Sequence, residues 1–596
     1  MRHLITIVFL FCLHIANCQS LPVIISSAHA LVHKEPYAGK FKEPEYVKKE
    51  GFNAMVLPVN LNMCLTYDSY EPNIVPQGSP ARKWIKNKAI AGHAALNSIK
   101  AANLNAYLNM DFLIFPAAIW KKYGDQIRSN EGKVKETGGY SNENATKPDI
   151  NKPLTQKLLR AQIEALFATF PQLDGIISRF GETYLHDYPH HMGGNPVSNL
   201  ESEQMKDQIT FINILKEEIC EKRHKKLFFR TWDFGFHFHN NPAFYLGVTN
   251  AITPNENLFF SIKYQQGDFY RMVNFNPCIG IGKHQQIVES QSQMEVYGKG
   301  AHPYYTGQGV IDGWPETKYQ MQWWNNAYLK DKDRKWQKNN TGLRGVKDVL
   351  KSGLIKGVWV WAEGGGWDGP YVKNEIWLDL NTYVVGHWAQ NTSKSEPALF
   401  EEFAERIGCK GLNTDLFRSL CLLSVEAVRK GQMSDFTDNE VWWARDEYFC
   451  AGYNTRILND IVKKQIESVV LAEKAEATAM WLQMETIAKQ LQIQDTITLH
   501  AIKTSTTYGR IKYALIEQMW HLMIANAQYQ ATKTLNTAEV AAHLQKYDAL
   551  WTEWKQLAAN NTDCASIATD LSFRKERKGS IGELVDKLRT LIAPTK

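Results

Sequence analysis

No two cysteines in this chain stand in a CxxC pair, and the seven that follow residue 19 are widely scattered. That excludes a zinc ribbon or a thiol redox motif and gives no disulfide framework. Long Lys/Arg runs are missing too, and the net charge of +6 is spread over 596 residues. A nucleic-acid partner, which needs a concentrated basic surface, is therefore not expected. Beyond the N-terminus no stretch is long and apolar enough to span a membrane. No glycine-rich phosphate turn follows the first apolar run, and "EGGGWDGP" lacks the GK[ST] of a phosphate loop. Its glycines instead let the chain bend so that Trp367 faces a cleft. Nothing in these features asks for a cofactor.

What is present is the balance of an ordinary folded protein, 44% hydrophobic and 22% charged, with length for more than one core. Eighteen Trp and twenty-five Tyr serve either core packing or sugar stacking, since a pyranose ring has an apolar face and polar edges. Arg2, the apolar run "LITIVFLFCL" and then "IANCQS" read as an export signal over residues 1–18. Two outcomes are open. Cleavage after Cys18 releases a periplasmic or extracellular protein, whereas cleavage before Cys18 with lipidation anchors it to the membrane at the cell surface.

From residue 19 to 390, short β-rich runs alternate with helical stretches. The runs are "PVIISSAH", "NAMVLPVN", "LNAYLNMD", "GIISRFGE", "LFFRTWDF", "LFFSIKYQ", "SQMEVYG" near 294 and "IKGVWVWAE". Between them, "SPARKWIKNKAIAGHAALNSIKAAN" opens with an N-cap serine and an N1 proline. "LTQKLLRAQIEALFATF" and "EQMKDQITFINILKEEICEK" carry apolar residues at three- and four-residue spacing. Eightfold strand–helix alternation is the signature of a (β/α)8 TIM barrel. From 391 to 596 the pattern is almost wholly helical, which predicts a C-terminal α-helical domain.

In such barrels chemistry gathers where strands end. The predicted ends carry His29, Asn60, Asp111, Arg179 with Glu182, and Arg230 with Trp232 and Asp233. Lys263 with Asp268, Glu295, and Trp361 with Glu363 complete the set. Glycoside hydrolysis needs two carboxyls, one protonated to assist the leaving oxygen and one ionised to activate water or attack. Glu182 lies between Phe180 and Tyr184, an apolar setting that raises a carboxyl pKa. Asp268 and Glu295 are the candidate ionised partners. Arg179, Arg230 and Lys263 exceed what a neutral sugar needs and suit a uronate, unless they only pair with neighbouring acids.

The segment "NLFFSIKYQQGDFYRMVNFNPCIGIGKHQQIVESQSQMEVYGKG" resembles glycoside hydrolase family 67, the xylan α-glucuronidases. Lys263 and Asp268 keep that family's spacing. "ESQSQMEVYG" is similar to its later strand, with Glu295 at the catalytic position and Glu289 outside it. "RFGETY" and "FFRTWDF" resemble its strand-four acid and strand-five arginine segments. "GVWVWAEGGGWDGPYVKNEIWLDLNTYVVGHWAQN" with "LFEEFAERIG" resembles its last strand and the entry to a helical domain. The resemblance spans residues 174–410. It implies an inverting hydrolase of plant polysaccharide fragments that releases glucuronic or 4-O-methylglucuronic acid. Glu182 would be the acid, and Asp268 with Glu295 would activate water. Lys263 and Arg230 would hold the uronate, beside Arg179, Trp232 and Trp367.

Two other classes stay open: a retaining glycosidase on another glycan, and a carbohydrate-binding barrel without chemistry. "HDYPHH" fits no standard metal signature, so no metal is expected at the site. The sequence leaves the oligomeric state open.

Overall fold

The computed structural model describes residues 20–27, 39–131, 146–180, 185, 188–232, 238–265, 269, 275–292, 302–314, 345–362, 374–437, 455–561 and 581–593. Its strands in chain order are β1 (Val23–Ser27), β2 (Ala54–Val56), β3 (Asn105–Asp111), β4 (Ile114–Pro116) and β5 (Gly175–Arg179). They continue as β6 (His191–Gly193), β7 (Lys226–Arg230), β8 (Leu258–Lys263), β9 (Gln285–Gln291) and β10 (Ile355–Trp361). Eight of them close into a parallel barrel in the order β1-β10-β9-β8-β7-β5-β3-β2. β4 and β6 form a separate antiparallel pair.

Side chains alternate along a strand, so every second residue faces the barrel axis. Val23, Ile25, Ala54, Val56, Tyr107, Ile177, Phe228, Phe259, Ile287 and Trp359 fill that interior as one apolar cluster. Tyr107 meets Phe228 edge-on at 4.8 Å, and Phe228 stacks on Phe259 at 5.1 Å. Residues of the opposite parity join the outer core beneath the helices. The middle of the barrel is thus solid, and any site must lie at an end.

The helices that cover it are α1 (Pro44–Lys49), α2 (Pro80–Ala101), α3 (Ala117–Ile127), α4 (Pro153–Thr169) and α5 (Glu201–Leu215). α6 (Pro242–Asn250), α7 (Gly307–Asp312), α8 (Val346–Val349) and α9 (Ile376–Gln390) follow. The predicted start of α2 is seen in atomic detail, with Ser79 Oγ accepting from Arg82 N at 3.2 Å ahead of Pro80.

The seventh barrel strand is not where the sequence pattern suggested. It is β9, "QQIVESQ", which precedes the expected "SQMEVYG"; residues 293–300 lie outside the described set. Only Ile287 and Val288 in β9 are apolar, so its buried polar residues hid it. Gln286 is wholly buried because its amide is used, donating to Tyr245 Oη at 3.0 Å and accepting from Gly280 N at 2.8 Å.

The C-terminal domain is helical, as expected: α10 (Glu396–Arg406), α11 (Leu412–Gln432), α12 (Thr455–Lys464), α13 (Glu467–Gln490), α14 (Thr496–Thr532), α15 (Thr537–Asn560) and α16 (Ile581–Ile592). Its aromatic side chains pack on their own core and on the barrel. Trp481 stacks on Tyr513 at 4.6 Å, and buried His302, from the segment after β9, sets its ring against both. Trp377 of α9 donates to Ser505 Oγ of α14 at 3.1 Å. Buried Glu396 accepts both guanidinium ends of Arg418 and the hydroxyl of Tyr305. The five cysteines among the described residues are all buried. No described helix is long and apolar enough to cross a membrane.

Candidate active site

The parity that packs the interior also decides which strand-end residues meet. Asp111 lies four residues past Tyr107, Arg179 two past Ile177, and Arg230 two past Phe228. Lys263 lies four past Phe259, Glu289 two past Ile287, and Trp361 two past Trp359. All are even steps beyond interior residues, so all face the axis at the C-terminal mouth. The register brings them side by side: Asp111 opposite Arg179, Lys263 opposite Glu289, and Glu289 opposite Trp359.

Two ion pairs span this mouth. Arg179 forks onto Asp111, Nε to Oδ1 at 2.9 Å and Nη2 to Oδ2 at 2.5 Å. Arg230 meets Glu289 with Nε at 2.9 Å from both carboxylate oxygens and Nη2 at 2.9 Å from Oε2. Ser261 Oγ adds a further donor to Glu289 at 2.8 Å. The Arg230 and Glu289 side chains are 4% and 0% exposed, so neither charge is tolerable there without the other. The guanidinium also lies over the rings of Trp361 at 4.8 Å and Trp359 at 5.3 Å. Trp359 is held by its indole N–H, which donates to Ser27 Oγ at 2.8 Å.

Lys263 stands beside this pair in an aromatic setting. Its ammonium is 3.6 Å from the centre of the Trp232 ring and 4.6 Å from that of Phe269, which in turn packs at 5.7 Å against Trp361. Trp232 is steadied edge-on by His239 at 5.0 Å. The His239 ring is anchored between Thr231 Oγ1 at 3.0 Å and the Gln265 carbonyl at 3.1 Å. Arg179, Arg230, Lys263 and Trp232, four of the residues singled out in the sequence, therefore lie at the ends of β5, β7 and β8.

Glu182, Asp268, Glu295 and Trp367 lie outside the described residues, as do His29, Asp233 and Glu363. Phe180 packs into the outer core, 5.3 Å from Phe229 and 6.4 Å from Phe238. Its odd step from Arg179 turns it away from the mouth.

Glu289, which the sequence leaves outside the family motif, lies at the mouth on β9, the strand that the pattern misplaced. Sequence reasoning also missed an acidic cluster on the rim. Glu375 precedes α9 and accepts from Lys40 N at 2.9 Å, while Asp379 binds Lys40 Nζ at 2.5 Å and the Tyr46 hydroxyl at 3.1 Å. Burial pushes the Glu375 carboxyl up to about 7, assisted by the charge of Asp379. Asp379 is raised as well, again chiefly by burial. Lys40 and Glu375 follow β1 and β10, adjacent strands, so the cluster clasps the first and last strand–helix connections on the side of the mouth.

No protein-family model matches the chain, and no curated protein matches it in sequence. Among solved structures it is similar to a glycoside hydrolase family 138 enzyme targeting pectin rhamnogalacturonan II. That match has TM-score 0.54 and 10% identity, and covers 96% of this chain and 83% of that one. It is also aligned with a family 89 enzyme from Clostridium perfringens in complex with its substrate GlcNAc-α-1,4-galactose. There the TM-score is 0.49 and the identity 10%, with coverage of 96% and 58%. These neighbours are glycoside hydrolases. At 10% identity the likeness to the family 138 enzyme is one of architecture: a parallel eight-stranded barrel continued by helices.

Proposed function

We propose that the protein is an exported glycoside hydrolase that removes a terminal uronic acid from a plant-type oligosaccharide, as α-glucuronidases do. The observation that carries this reading is the barrel mouth, where cations and tryptophans share one polar rim on an otherwise apolar interior. Lys263 between two aromatic rings is suited to a sugar that carries a negative charge, since stacking holds the ring and the ammonium meets its carboxylate. Arg230 and Arg179 contribute through the carboxylates they already bind, and Arg230 would present its remaining edge. The family 67 resemblance and the barrel shared with glycoside hydrolases support the same class.

In this reading Glu182, three residues beyond the end of β5, protonates the leaving oxygen. Asp268 and Glu295, beyond β8 and β9, activate the attacking water, with the carboxyls about 6.5–9.5 Å apart as inversion requires. Trp232 and Trp367 flank the sugar. The N-terminal signal accounts for export, and Cys18 for a lipid anchor where one is attached.

The test is incubation with aldouronic acids, other uronosides and their neutral counterparts, reading free uronic acid. Release from the acidic substrates is expected, with Lys263→Ala losing turnover on them selectively. Equal loss on neutral sugars would reject the charge role. The engagement of both arginines by buried acids favours a second reading, a glycosidase on an uncharged glycan, which the neutral arm of the same panel detects.

A further inference from the structure

In the helical C-terminal part of the chain, α14 and α15 form an antiparallel hairpin joined by residues 533–536. On its inner seam the rings of His521 and His543 lie face to face, centroids 3.8 Å apart and planes 17° apart. Glu539 stands one turn before His543 on α15. A donor nitrogen from each imidazole and a carboxylate oxygen of Glu539 all lie within 4.8 Å of one another. We propose that these three residues bind a divalent transition ion of the zinc class, which clasps α15 to α14.

Two observations support the assignment. The ligand types are right, since two imidazoles and one carboxylate suit zinc-class ions and leave a fourth position for water. Metal–ligand distances of about 2.0–2.2 Å put neighbouring donors roughly 3.3 Å apart, so the donors draw together by up to about 1.5 Å and the two rings turn out of their stack to aim both lone pairs at the ion. Second, two of the ligands are already oriented by outer partners. His543 Nδ1 lies 2.8 Å from Oε1 of buried Gln518, so that nitrogen carries the proton and Nε2 offers its lone pair. Glu539 Oε2 accepts from Asn536 Nδ2 at 2.9 Å, directing the other oxygen to the ion.

The competing account is a pair of stacked histidines and a glutamate that only bonds the side chain of Asn536, the residue that caps α15. Titration of the chelator-treated full chain with zinc chloride at pH 7.5, followed by calorimetry, separates the two. The proposal expects one equivalent bound at micromolar concentration or tighter, with a rise in Tm. His521→Ala and His543→Ala should weaken it at least tenfold, and cobalt substitution should give visible d–d bands that both variants lose. Should either alanine variant fail to fold by circular dichroism, Glu539→Gln decides, because that side chain is exposed; about tenfold weaker binding is expected. Wild type that takes up no zinc at millimolar concentration, or variants that bind as wild type does, would overturn the site.

Discussion

At the residue scale the Arg230–Glu289 pair is the most demanding feature of the barrel mouth. Removing one partner from a buried pair costs about 3–5 kcal/mol, because the other charge is left without compensation. Arg230→Met should therefore lower unfolding free energy by roughly that amount in urea. The double variant Arg230→Met/Glu289→Met should recover much of the loss. A single-variant loss under about 1 kcal/mol, typical of exposed pairs, would show that the pair is not desolvated as described. Arg179, Arg230 and Lys263 were legible in the sequence because charge at the end of an apolar strand is anomalous. Their partners were not. Nothing local links Arg230 to Glu289, 59 positions away, until the strands are placed side by side.

At the element scale, seven strands and the main helices follow from period-two and three-to-four spacing. The exception, β9, is instructive. Hydrophobic pattern finds strands whose interior is apolar, whereas β9 buries Gln286, Glu289 and Ser290 by bonding or pairing some of them. A strand that buries polar and charged residues along its middle is thus the one most easily missed. Helix packing depends on a detail equally hidden from pattern. Gly509, inside α14, faces the Trp481 ring so closely that a Cβ there would overlap it. Alanine gains about 1 kcal/mol of helix propensity over glycine, but overpacking costs about 1–3 kcal/mol. Gly509→Ala should therefore destabilise the protein or leave it unimproved, and should quench or shift Trp481 fluorescence. A clear gain in Tm would mean that the α13–α14 contact is looser than described.

At the scale of the whole molecule, buried titratable groups set the response to acid. Burial lowers His191 to about 3 and His284 to about 4, places His521 at about 4, and lowers His387 and His543 in the same direction. Each stays neutral in the folded chain but takes up a proton on unfolding below about pH 6.5, so its contribution is full above that pH and fades toward pH 4. Glu375, Asp379 and Asp207, raised mainly by burial, act in the opposite sense, because they hold protons in the fold that the unfolded chain releases. Among the described residues, these five groups against three leave a net uptake of protons on unfolding between about pH 4.5 and 6.5. Urea midpoints should rise with pH across that window, and Glu375→Gln should steepen the rise. Midpoints that fall with pH would contradict the burial of these histidines.

The fold itself was legible because strand–helix alternation is a property of the whole chain. The proposed chemistry rests on residue types at strand ends, and its central claim is that Glu182 acts as the proton donor to a uronoside. The most direct measurement compares Glu182→Ala with wild type on two substrates, an aldouronic oligosaccharide and an aryl uronoside with an acidic leaving group. Loss of a general acid predicts a drop of roughly 10²–10⁴-fold on the oligosaccharide and little change on the aryl substrate, whose leaving group needs no proton. Wild-type turnover of the oligosaccharide by Glu182→Ala would contradict the account.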